Sequence, residues 1–176
     1  MADQILGGMN CVMVQHSVAD FDAWETAYKK DKKRRKKAGI KEKLVLRDAV
    51  NPNYITVIFE LENVEGASKP AFTYFKVSNS GIPTGRSFLI IQHTVENYDY
   101  WKKEFDKHQE VRSDYKLSLT ALGKGLDNPL NVVAIFNTDD TNNITSFLEK
   151  SNLKEAMKNA GITSEPIPLI MVLSKK

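Results

Sequence analysis

Residues 15–24 read QHSVADFDAW and residues 92–101 read QHTVENYDYW. Setting His93 on His16 fixes an offset of 77, and the same offset, without a gap, sets Trp101 on Trp24, Lys107 on Lys30 and Arg112 on Arg35. Further along it sets Asn128-Pro129 on Asn51-Pro52 and Ile135-Phe136 on Ile58-Phe59, with Tyr98 on Phe21, Phe105 on Tyr28 and Val132 on Ile55 between them. One register held through so many separated positions marks an internal repeat. Whatever fold the unit adopts must be adopted twice, and 176 residues with 41% apolar content suffice for one ordinary domain or two small ones sharing a core.

The local pattern is the same in each copy. Residues 11–18 (CVMVQHSV) and 88–95 (FLIIQHTV) are short, β-branched and bounded by polar residues, as strands are. Asp20 and Asn97 then stand where a helix N-cap belongs, since a short side-chain oxygen can accept from an unpaired first-turn amide. Phe21, Trp24 and Tyr28, like Tyr98, Trp101 and Phe105, recur at spacings of three and four, so each helix buries an aromatic stripe. Two strand-like runs follow in each copy, 44–48 with 54–61 and 117–122 with 131–136, separated by the Asn-Pro turn pair. A second helix is expected around Val64 to Phe75 and around Asn142 to Asn159, with Gly161 ending the latter and residues 167–174 as a closing strand. The order is β-α-β-β-α-β, the split βαβ arrangement.

In the first copy, SNSGIPTGRS (78–87) reads as a glycine- and proline-punctuated linker that leads directly into the strand at 88, so a fourth strand is not evident there. Seven strands are expected in all. The expected organisation is a first repeat over 1–80, a linker over 81–87 and a second repeat over 88–176. Whether the half-sheets close, stay open or take an edge from another chain is left open, and an unpaired edge would invite association with a second copy.

The run His-x-Val-x-Asp-Phe-Asp-x-Trp at residues 16–24, followed by a basic helix, Gly39-Ile40 and an Asn-Pro hairpin, resembles the dimeric α/β-barrel superfamily, which includes the antibiotic-biosynthesis-monooxygenase-like and stress-responsive barrel families. The resemblance implies an α+β chain of two ferredoxin-like units fused in tandem, a pseudo-dimeric α/β barrel whose first unit lacks a clear fourth strand. It also implies a choice of functions: a cofactor-independent monooxygenase- or cyclase-like enzyme with a small molecule held between sheet and helices, or a non-catalytic binding or stress-response barrel.

His16 and His93 are the candidate catalytic residues, because each ends a first strand and imidazole is the acid–base group nearest neutrality. Strand alternation puts both on an apolar face, where a structural histidine would equally fit. Gln15 and Gln92 point to the opposite face, where an amide could orient a ligand carbonyl or bond an edge. Arg47 and Lys124, at matched strand ends, could hold an anionic ligand or stand in solvent. No metal site is expected, since neither a carboxylate nor a second histidine stands at ligand spacing and His108 lies among helix-surface residues.

Cys11, alone of its kind, reads as a small buried hydrophobe. Lys29–Lys37, KKDKKRRKK, is the densest charge run, but a net charge of +3 and the absence of aromatics between Tyr28 and Tyr54 argue for a solvated helix end rather than a nucleic-acid surface. Walker, GxGxxG, GxSxG and CxxC motifs are absent. With neither a membrane-length apolar run nor a signal-peptide pattern in MADQILGGMN, the expected location is the cytoplasm.

Overall fold

The computed structural model describes residues 8–64, 72–150 and 152–174. They form strands β1 (Asn10–Ser17), β2 (Ile40–Asp48), β3 (Tyr54–Leu61), β4 (Phe72–Ser80), β5 (Ser87–Thr94), β6 (Ser118–Gly125), β7 (Asn131–Thr138) and β8 (Ile167–Leu173). The helices are α1 (Phe21–Lys30), α2 (Lys32–Lys37), α3 (Tyr98–Lys107), α4 (Gln109–Asp114), α5 (Thr141–Lys150) and α6 (Leu153–Asn159). The caps fall where expected: Asp20 accepts from the Ala23 amide at 2.7 Å and Asn97 from the Tyr100 amide at 2.9 Å.

All eight strands pair antiparallel in one closed barrel, in the order β1-β3-β2-β8-β5-β7-β6-β4. Each half therefore has the same internal order, β4-β1-β3-β2 and β8-β5-β7-β6. The halves join where β2 meets β8 and β4 meets β6. This corrects the seven-strand expectation. Ser78–Ser80 belong to β4 rather than to a linker, because pairing with β6 extends the strand begun by Phe72–Val77 through its polar end. The helix expected around Val64 to Phe75 falls mostly outside the described residues, and from Phe72 onward the chain is strand. Closure also removes the open edge that motivated association with a second copy.

Alternation divides the side chains between two environments. Cys11, Met13, Leu46, Ile58, Phe75, Phe88, Ile90, Val133, Ile135 and Met171 fill the barrel. Burial and the nearby Glu60 carboxylate push the Cys11 thiol up to about 12, so it stays protonated and behaves as the small hydrophobe expected. Outside the barrel, Phe21 of α1 packs with Ile55, Val57 and Phe59 of β3, and Trp101 of α3 and Ile144 and Phe147 of α5 pack with Leu89, Ile91, Ala134 and Phe136 of β5 and β7.

Irregularities recur at the offset of 77 as well. β2 is bulged between Glu42 and Leu44, and β6 between Leu119 and Ala121. The bulged residues meet equivalent partners: Lys43 bonds Glu60 at 2.8 Å, and Asn137 donates to the Thr120 hydroxyl at 2.8 Å. The turn after each first helical segment uses a left-handed residue, Gly39 with φ 71° and Lys116 with φ 56°. A lysine there carries a steric cost that glycine avoids. Lys116→Gly is expected to stabilise the protein by about 0.5–1 kcal/mol, read as a higher urea midpoint at unchanged slope. A lower midpoint would mean that the lysine side chain contributes contacts outweighing the backbone strain.

Candidate functional site

The helix-covered face of each half carries one aromatic ladder. Phe21, Trp24, Tyr28 and Phe59 follow one another with ring centroids 5.6, 4.7 and 6.4 Å apart, and Tyr98, Trp101, Phe105 and Phe136 with 5.7, 4.9 and 6.1 Å. An arginine lies on each: Arg35 is 3.7 Å over the Tyr28 ring and donates to Tyr28 O, while Arg112 is 4.0 Å over the Phe105 ring and donates to Phe105 O.

The two histidines part company at this level. His16 meets Trp24 edge-on at 6.2 Å and is exposed. His93 lies 5.4 Å from Trp101 and is only 7% exposed. The chain after α6 closes over it: the Glu96 amide donates to Gly161 O, Val95 bridges to Ile162, and Thr163 N donates to Thr94 O, which pins this turn beside the end of β5. Burial alone pushes the His93 imidazole down to about 4, so it is neutral throughout the physiological range.

Between β5 and β7 on one side and α3, α4 and α6 on the other lies a cavity of about 60 Å³. Ile91, Phe136, Phe147 and Met157 make most of its wall apolar, and His93, Glu104, His108 and Arg112 supply its polar groups. Among the described residues, three buried side-chain polar atoms have no hydrogen-bond partner: both ring nitrogens of His93, and Nδ1 of His108. Both histidines line this cavity. A buried polar group left unpaired costs about 1–3 kcal/mol, and here the cost is concentrated at one place. Arg112, 8% exposed, is pushed down to about 10 by burial, with Asp106 acting in the opposite direction, and stays charged at neutral pH.

The other candidate residues stand elsewhere. Gln15 and Gln92 point into the barrel, and Gln92 Nε2 donates to Gln15 Oε1 at 3.3 Å, joining the two halves across their repeat offset. Gln15 also donates to Thr56, and Thr73 donates to Gln92. Gln92 and His93 both border a second, more polar cleft at this end of the barrel, with Asn131 and Ser164. Arg47 lies 3.8 Å over the Phe21 ring and donates to Pro52 O, and Lys124 Nζ lies 3.5 Å over the Tyr98 ring. This pair of matched clasps holds each helix start to a strand end, away from the His93 cavity. Of the basic run, only Arg35 turns inward, and the other residues of α2 are exposed.

Among the described residues, no group of three or more His, Cys, Asp or Glu side chains is placed to hold a metal ion. The sequence reading did not single out His108, Glu104 or Arg112 for this site. The repeat itself carried the signal, in the positions where the copies differ: His108 replaces Asp31, and Leu119 replaces Glu42.

Among the described residues no helix is long and apolar enough to cross a membrane. No family model and no curated protein matches the sequence. Solved structures do. An anthrone oxidase-like protein matches with a TM-score of 0.60 over 96% of this chain and 92% of that one, at 10% identity. A monooxygenase-like protein from Listeria innocua matches with 0.58 over 96% of each chain, at 12% identity. A ferredoxin-fold protein related to antibiotic biosynthesis monooxygenases, from Listeria monocytogenes, matches with 0.58 over 99% of each, also at 12%. The chain has the ferredoxin-like barrel fold of these monooxygenase-like proteins.

Proposed function

We propose that the second half of the barrel binds a small molecule in the His93 cavity and acts on it as a cofactor-independent, monooxygenase- or cyclase-like enzyme. The observation that carries this reading is that every buried side-chain polar atom left without a partner among the described residues belongs to a histidine lining that one cavity. A protein core does not ordinarily leave such atoms unpaired, whereas a binding site does so until its ligand arrives. Neutral His93 can donate from one nitrogen and accept at the other, and Trp101 fixes its ring from one side. A ligand with an acidic O–H, or a C–H beside a carbonyl, could surrender its proton to this imidazole. The resulting imidazolium would be stabilised by the anion it has just generated. The names of the structural neighbours, a monooxygenase-like and an anthrone oxidase-like protein, support the choice of chemistry.

The reading is tested by soaking crystals with small aromatic and polyketide-like compounds and by following oxygen consumption with the compounds that bind. Density is expected against His93, and His93→Ala is expected to lower turnover by about 10²-fold or more. A cavity that stays empty with every compound would overturn the proposal. Binding without turnover would favour a non-catalytic binding barrel.

A further inference from the structure

The two ladder arginines are equivalent in sequence and in packing, yet only one is neutralised. Arg35 has two acidic neighbours, Asp31 at 3.9 Å and Glu42 at 3.6 Å. At the equivalent positions of the second half stand His108 and Leu119, and among the described residues Arg112 makes no ion pair. Among the described residues its guanidinium makes one hydrogen bond, to the carbonyl of Phe105. The nearby acids are engaged elsewhere: Glu104, which also lines the cavity, is bonded to Lys107 at 2.6 Å, and Asp106 is held by Lys102. A buried guanidinium without a counter-ion is unfavourable, and the first half shows that this fold can supply one.

Resting on the reading of the cavity as a small-molecule site, we propose that its ligand is an organic anion, a carboxylate or an ionised enol or phenol, whose oxygen takes the place that the Glu42 and Asp31 carboxylates occupy beside Arg35. Arg112 supplies the charge, with donors in a fork suited to a carboxylate. His108, standing where the first half has an acid, adds an imidazole with an unpaired ring nitrogen in place of a competing carboxylate. The apolar wall of Ile91, Phe136, Phe147 and Met157 takes the body of the ligand.

The test is calorimetric titration of the full chain with benzoate and with benzamide, which have the same shape and differ in charge. Wild type is expected to bind benzoate at least tenfold more tightly than benzamide, and Arg112→Gln to lose that preference while keeping its affinity for the amide. Leu119→Glu, which returns the carboxylate of the first half to its equivalent position, is expected to abolish benzoate binding selectively without removing the arginine. It serves as the independent check should Arg112→Gln fail to fold. Equal binding of the two probes by wild type, or undiminished benzoate binding by Leu119→Glu, would overturn the anion proposal and leave the small-molecule site standing. Binding of neither probe at millimolar concentration would count against the site itself.

Discussion

Asn137→Ala is expected to cost about 3–5 kcal/mol of folding stability. Asn137 is fully buried on β7, and its carboxamide is used at both ends. Oδ1 accepts from the Thr84 amide at 3.0 Å and the Gly85 amide at 3.1 Å; Nδ2 donates to Ser118 O at 3.2 Å and to the Thr120 hydroxyl at 2.8 Å. Those bonds tie the segment between β4 and β5 to the barrel, beside a position where nothing larger than glycine fits: a Cβ on Gly85 would lie 2.1 Å from Thr138 O. Alanine would leave the buried Gly85 amide and the fully buried Thr120 hydroxyl without partners, and would open a void where the carboxamide sat. Urea denaturation checks this through the midpoint at constant slope. A loss below about 1 kcal/mol would show that water replaces the carboxamide, and hence that this end of the barrel is wet rather than sealed.

Acid sensitivity traceable to one histidine is the second expected result. The folded His93 titrates at about 4 instead of 6.5 because burial disfavours its charged form. The unfolded chain therefore binds this proton more readily than the folded one. The associated stability is fully present above about pH 6.5, declines as pH falls through the window toward about 4, and amounts to about 3 kcal/mol once lost. Glu60, whose carboxyl is held below its ordinary range chiefly by its hydrogen bond to Lys43, adds a loss of the same sign at lower pH. The contrast that isolates His93 is therefore wild type against His93→Leu, whose stability should fall less between pH 6.5 and 4.5. NMR titration of the imidazole gives the same quantity directly. A midpoint near 6.5 in the folded protein would show the ring to be hydrated, and the two acid profiles would then coincide.

Much of this molecule could be read from the chain because the relevant physics is local. Asp20 and Asn97 cap helices by reaching three residues ahead, and spacings of three and four gather Trp24 and Trp101 into stripes. The repeat register then carries each such reading into the other half. β4 was hidden because its start reads as the end of a helix and its polar end, Ser78-Asn79-Ser80, as a linker, while the pairing with β6 that defines it joins residues more than 40 positions apart. Of the residues that line the candidate site, the sequence pointed to His93 alone. His93 was singled out together with His16, and periodicity treats the two alike. The turn after α6, brought beside the end of β5 by pairing distant in sequence, buries one ring while the other stays exposed. Gln15 and Gln92 were assigned correctly to the face opposite the histidines, but their mutual hydrogen bond exists only because the sheet closes. The sequence by itself thus determined the repeat, the helices with their caps and stripes, and which residues share a face, since these depend on spacing along one chain segment. Tertiary structure alone decided closure of the barrel and burial of His93, because each depends on what a distant segment contributes.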